Sequence, residues 1–189
     1  MELQREVVSY PVYHSTGFLD DLSGLMTEIK CVKAELTNEA QAKDVMEMWL
    51  CYCRDEQGGA EDPSDYAKEN LINELLKRGD SMPVFLAYDD ATSVVCGIGI
   101  CIESFSTFAC NSILNVHDFC VKVEYRRKGV GMKLMATIED YCREKGFPKM
   151  TLECLEKNMP ARNAYIKHGF KPYELKPEYG PALFFQKVL

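Results

Sequence analysis

A chain of 189 residues and 21.5 kDa, 47% hydrophobic and 27% charged, has room for one full core and is too short for two ordinary domains. Its net charge of −7 and pI near 5.1 speak against nucleic acid as a partner. No apolar run approaches the roughly 20 residues that span a bilayer, and the segment Met1–Glu6 lacks the apolar centre of a signal peptide, so no membrane partner and a cytoplasmic location are expected.

Residues 1–29 show no clean period and are read as an N-terminal extension to which no role is assigned, ahead of a single domain over 30–189. Val32, Ala34 and Leu36 alternate with Lys33 and Glu35 in a short strand that stops at Thr37-Asn38. Ala42, Val45, Met46, Trp49, Leu50 and Cys53 then recur at helical spacing until Gln57-Gly58-Gly59. Asp62-Pro63 signals a second helix, with the stripe Ala67, Leu71, Ile72, Leu75 and Leu76 ending at Gly79. Strands follow at Met82–Tyr88 and Ser93–Phe105, joined at Asp89-Asp90 as a hairpin, and a further strand is expected at Asn115–Val123. A helix over Met132–Lys145 buries Leu134, Met135, Ile138, Tyr141 and Cys142. Met150–Leu155 is strand-like, Pro160 opens a short helix through His168 with Gly169 as its cap, and Phe170–Leu175 and Ala182–Val188 close the chain as strands. The fold class is therefore α/β (α+β): about six or seven strands and about four helices, without an internal repeat.

Nine cysteines raise the possibility of disulfides or zinc, but the nearest pair is Cys51-Tyr52-Cys53 and no C-x-x-C occurs. Cys96, Cys101, Cys110, Cys120 and Cys154 lie in strand-like stretches, where a free thiol acts as a small buried hydrophobe. His14, His117 and His168 are too widely spaced for a metal-ligand pattern, so no metal is expected.

The chemistry concentrates between the strand Asn115–Val123 and the helix that follows it. Tyr125-Arg126-Arg127-Lys128-Gly129-Val130-Gly131 is a basic, glycine-containing turn running into a helix start, whose first backbone N–H groups have no internal partner. An anion can take them, favoured by the helix dipole by about 0.3–1 kcal/mol. A dinucleotide fingerprint fails, because Leu134 stands where a third small residue is required. A Walker loop fails as well, because Gly131 is followed by Met132-Lys133-Leu134. The pattern R/Q-x-x-G-x-G/A is met by Arg126, Gly129 and Gly131, and Asn158, Ala161, Ala164, Tyr165, Gly169 and Phe170 follow the next strand at the expected distance.

These two segments together resemble the GNAT family of N-acetyltransferases, with the likeness spanning roughly 30–189. The resemblance implies one mixed, mostly antiparallel central sheet and acetyl-CoA as co-substrate. It places the pyrophosphate on Arg126, Arg127, Lys128, Gly129, Val130, Gly131 and Met132, and the pantetheine along the backbone of Phe119, Cys120, Val121 and Val123. Direct transfer to a primary amine needs a base, since an alkylamine has a pKa of about 10.4. His117 falls at the strand position where the family places a base; Glu103 and Glu153 are alternatives, and simple alternation turns Asp118 to the opposite face. Tyr165 matches the tyrosine that returns a proton to the departing thiolate, a task that suits a phenol because it stays protonated at neutral pH. Asn158 either binds the coenzyme or caps its helix.

Asp55, Glu56, Glu61, Asp62 and Asp65 crowd one loop, which hints at a cationic amine such as a polyamine, an amino sugar or a lysine side chain. The final strand is apolar enough to pair across a homodimer. The alternative reading is a coenzyme-A-binding sensor or interaction protein without catalysis. An acyl group longer than acetyl is open too, since it depends on space near Cys120 and Cys154.

Overall fold

The computed structural model describes residues 28–174, 176–180 and 182–187. Five strands form one sheet in the order β1-β2-β3-β4-β5. β1 (Ile29–Lys33), β2 (Val84–Asp89), β3 (Val95–Ser106) and β4 (Asn111–Val121) pair antiparallel, and β5 (Met150–Leu152) joins β4 in parallel. Helices α1 (Glu39–Arg54) and α2 (Asp65–Arg78) cover one face, and α3 (Val130–Glu144) covers the other with α4 (Met159–His168) beside it.

Side-chain caps fix where these helices begin. Asn38 Oδ1 accepts from the amides of Ala40 and Gln41 at 3.0 and 3.2 Å to start α1, and Ser64 Oγ accepts from Ala67 at 3.2 Å to start α2. Because Ser64 is the cap, Pro63 lies outside the second helix and does not open it. The core has two layers. Between sheet and α3 lie Phe85, Cys101, Leu114, Leu134 and Ile138; between sheet and α1–α2 lie Val45, Met48, Leu75, Leu86, Ile98, Ile100 and Cys120. Each of the large aliphatic side chains among them contributes roughly 1.5–3 kcal/mol by leaving water.

Three expectations are corrected. The strands at Phe170–Leu175 and Ala182–Val188 do not form: their described residues are irregular, with Leu183, Phe184 and Phe185 at 72, 81 and 83% exposure, while Leu175 and Val188 lie outside the described residues. Alternating apolar residues become a strand only where an edge takes their backbone groups, and among the described residues neither segment joins the sheet, which has five strands rather than six or seven. Cys110 and Cys154 are exposed rather than buried, since one sits in the turn after β3 at φ 47° and the other beyond the last paired residue of β5. Val123 belongs to a 3₁₀ turn, Val123–Tyr125, past the end of β4, and is 68% exposed. Residues 1–27 of the extension lie outside the described residues. No helix among the described residues is long and apolar enough to cross a membrane.

Candidate active site

The site begins with an irregularity in β4. Cys101 pairs with Val116, but the preceding residue of β3, Ile100, pairs with Asp118, so His117 bulges out unopposed. The bulge resets the alternation of the strand: Leu114 and Val116 belong to the α3 layer, whereas Cys120 belongs to the α1 layer. Asp118, even-numbered like Cys120, thereby comes to lie beside Tyr52 of α1, and His117 is exposed. Pairing between β4 and β5 is confined to Leu114↔Met150, Asn115↔Thr151 and Val116↔Leu152. From the bulge onward the two strands part, and the edge of β4 toward β5 has no strand partner among the described residues.

The basic turn closes the far end of this opening. Arg127 at φ 65° and Gly129 at φ 84° adopt left-handed backbone, and Gly129 is the N-cap of α3. The first helical bond runs from the Lys133 amide to the Gly129 carbonyl at 3.0 Å, and no side chain caps this end. The amides of Val130, Gly131 and Met132 are thus left without a helical acceptor. A side chain at Gly131 would meet Phe119 and Val121 at ordinary contact, 3.6 and 3.7 Å, so these parts of strand and turn are adjacent. The Val130 side chain is fully buried, which leaves only its N–H for a ligand. Arg127 and Lys128 are exposed cations. Arg126 is differently employed: its Nε donates to the Val121 carbonyl at 3.0 Å and an Nη donates to the Asp55 carboxylate at the end of α1.

Three titratable groups converge where the strands part. Tyr165 of α4 packs edge to face on Phe119 and Phe170, with centroids 6.4 and 6.0 Å apart, and burial, then the neighbouring Cys154, pushes its phenol up to about 12. Tyr52 is pushed up to about 12 by burial and then by the adjacent Asp118, and it also feels the charge of Tyr165. Burial raises Asp118 above the usual carboxylate range, against the pull of His117 and Tyr52. Tyr52 is held from behind by the loop after α1, because Gly58 comes so close that a Cβ there would stand 2.0 Å from the Tyr52 carbonyl oxygen. Of the two other candidate bases, Glu153 stands where the strands part and Glu103 lies on the α3 side. Glu153 is exposed and accepts from Asn115 Nδ2 at 3.1 Å, and Glu103 is near Lys145 and Tyr141 on the α3 side.

Asn158 Oδ1 accepts from the Ala161 amide at 3.2 Å and is the N-cap of α4. The acidic loop is partly neutralised, since Asp55 pairs with Arg126 and Asp62 with Arg54 and Lys68, while Glu56 and Glu61 are exposed. Sequence reasoning missed Tyr52, which lies off the apolar stripe of α1, and the bulge that brings Asp118 beside it, because nothing in a linear alternation announces a bulge.

The family model described as Acetyltransferase (GNAT) family matches residues 42–170. A Bacillus subtilis (strain 168) protein named as a ribosomal protein bS18-alanine N-acetyltransferase is 25% identical over 116 residues, 61% of this chain and 71% of its own length. The streptothricin acetyltransferase of Streptomyces lavendulae is 38% identical over 72 residues, 38% of this chain and 37% of its own. Among solved structures, AAC(6′)-Iy in complex with the bisubstrate analogue CoA-S-monomethyl-acetylneamine superposes with a TM-score of 0.63 at 19% identity, covering 86% of this chain and 99% of that one.

Proposed function

The chain belongs to the GNAT family of acetyltransferases, and from that premise we propose that it moves an acetyl group from acetyl-CoA directly to a primary amine, with a cationic acceptor preferred. The observation that carries this reading is the juxtaposition of an uncapped α3 N-terminus, an unpaired edge of β4 and the protonated phenol of Tyr165 around one opening. The amides from Arg127 to Met132, with the cations of Arg127 and Lys128, suit a pyrophosphate. The free backbone edge from Phe119 to Val121 suits the amides of a pantetheine arm. Arg126 supports the turn through Val121 and Asp55 while presenting its remaining N–H groups.

On this reading Tyr165 gives its proton to the departing thiolate. Asp118 removes the proton from the incoming ammonium, and its raised pKa makes it a stronger base than an ordinary carboxylate. His117, exposed one residue earlier and close enough to influence Asp118, passes that proton to solvent. Tyr52 holds the Asp118 carboxylate in place. Support for a cationic amine comes from Asp118, Glu56 and Glu61 near the α1 side of the opening and from the net charge of −7. Streptothricin and aminoglycoside acetyltransferases among the similar proteins point the same way.

A panel of polyamines, amino sugars, lysine peptides and neutral amines, each incubated with acetyl-CoA and followed by thiol release, tests the proposal. Turnover with cationic members is expected. Binding of acetyl-CoA without thiol release from any amine would instead identify a non-catalytic coenzyme A binder.

A further inference from the structure

The seam between α1 and β4 carries a pair of thiols that the mechanism leaves unused. Cys120, buried in β4, points its S–H at Cys51 of α1, with the sulfurs 3.9 Å apart. Both thiols are free, and Cys51 is half-exposed. Around them α1 is fastened to β4 and its turn by charge: Glu47 meets Lys122 at 2.5 Å, and Asp55, one helical turn beyond Cys51, meets Arg126. Residues 47, 51 and 55 therefore form one stripe of α1 along this seam. The residue after Cys51 is Tyr52, and two residues before Cys120 is Asp118, so the thiols stand beside the groups that shape the acceptor side of the opening.

We propose that Cys51 and Cys120 form a reversible disulfide under peroxide, locking α1 against β4 and slowing acetyl transfer. The half-exposed Cys51 sulfur attacks the peroxide, breaking its O–O bond and becoming a sulfenic acid with loss of water. Cys120 then attacks that sulfur; the S–O bond breaks, the S–S bond forms, and a second water leaves. Two thiols lose two electrons and two protons, and one hydrogen peroxide becomes two waters. Burial pushes the Cys120 thiol up to about 12 and keeps it protonated, so the more accessible Cys51 takes the first step and Cys120 gives up its proton only as it attacks the neighbouring sulfenic acid. Bond formation requires sulfurs about 2.05 Å apart, so α1 and β4 must close by roughly 2 Å or rotate both side chains. Closure of the backbones displaces Tyr52 relative to Asp118, and side-chain rotation alone ties α1 to β4 at the same place. The loss of turnover, though not the bond itself, rests on the function proposed above.

The full-length protein is treated with hydrogen peroxide and digested without reductant, and its peptides are mapped by mass spectrometry. A Cys51–Cys120 linkage is expected in the wild type and in Cys53→Ser, is absent from Cys51→Ser, and disappears with dithiothreitol. Thiol release from acetyl-CoA should fall at least about fivefold on oxidation and recover on reduction, while Cys51→Ser keeps its activity through the same treatment. Linkage through Cys53, or stable sulfinic acid on Cys51 with no linkage, overturns the pairing. A complete linkage that leaves turnover unchanged overturns the lock. Should no amine be acetylated before oxidation, the acetyl-transfer reading fails by itself, and the peptide map still decides the disulfide.

Discussion

Tyr165 and Phe119 meet edge to face with ring centroids 6.4 Å apart and planes at 69°, which sets the phenol of α4 against the stretch of β4 that has no partner from β5. The ring contact survives loss of the hydroxyl. Tyr165→Phe should therefore keep acetyl-CoA affinity within about twofold by calorimetry while lowering kcat by about 10²-fold, a typical contribution for a positioned acid. Equal losses in affinity and turnover would contradict the acid role.

Asp118 gives a pH dependence with a definite sign. Its folded pKa lies above the unfolded value of 3.8, so between the two the folded state holds more protons and stability falls as pH rises through that window. Asp118→Asn removes this penalty and should raise the melting temperature at neutral pH, on the order of 1–3 °C for a chain of this size, with no gain in acid below the unfolded pKa. The same variant should lose about 10²-fold in kcat/KM. In the wild type, the acid limb of kcat/KM should sit above the ordinary carboxylate range. Tyr165, at about 12, should leave the neutral and mildly alkaline range flat.

The glycines of the turn separate backbone shape from space. Gly129 is left-handed with nothing within 4 Å of a Cβ, so Gly129→Ala is strained without clashing: about 1 kcal/mol of stability should be lost, and KM for acetyl-CoA should rise about tenfold. Gly131 has room for a methyl group at ordinary contact distance, and Gly131→Ala should fold at least as stably with KM changed less than about threefold. Thermal melts and acetyl-CoA titrations of both variants check the contrast.

Asn158 is the cap of α4 through its bond to Ala161. Asn158→Ala should cost about 1 kcal/mol in denaturant melts and leave KM for acetyl-CoA nearly unchanged. A large rise in KM at unaltered stability would make it a coenzyme ligand instead.

Elements with dense local signals could be read from the chain alone. The stripe Leu134, Met135, Ile138, Tyr141 and Cys142 places α3, Pro160 and Gly169 bracket α4, and the basic turn is found where its glycines announce it. What escaped was non-local. A bulge at His117 is a property of two strands in register, not of either sequence, and it decided which face Asp118 serves. Tyr52 enters the site from α1 through its place beside Asp118 of β4, a contact between residues far apart in sequence. The apolar residues of 182–187 have strand chemistry, yet their described residues form no strand.

The short parallel join of β5 to β4 also bears on how the protein assembles. β2, β3 and β4 are consecutive hairpins and close over small loops, whereas β5 reaches β4 only after a crossover through α3, and three residue pairs must repay that closure. The meander can form before its parallel neighbour arrives. One wall of the opening is then set early and the other, bearing Tyr165 behind β5, docks late, so in refolding followed by pulsed hydrogen exchange, protection at Met150–Leu152 should lag protection at Val95–Ser106.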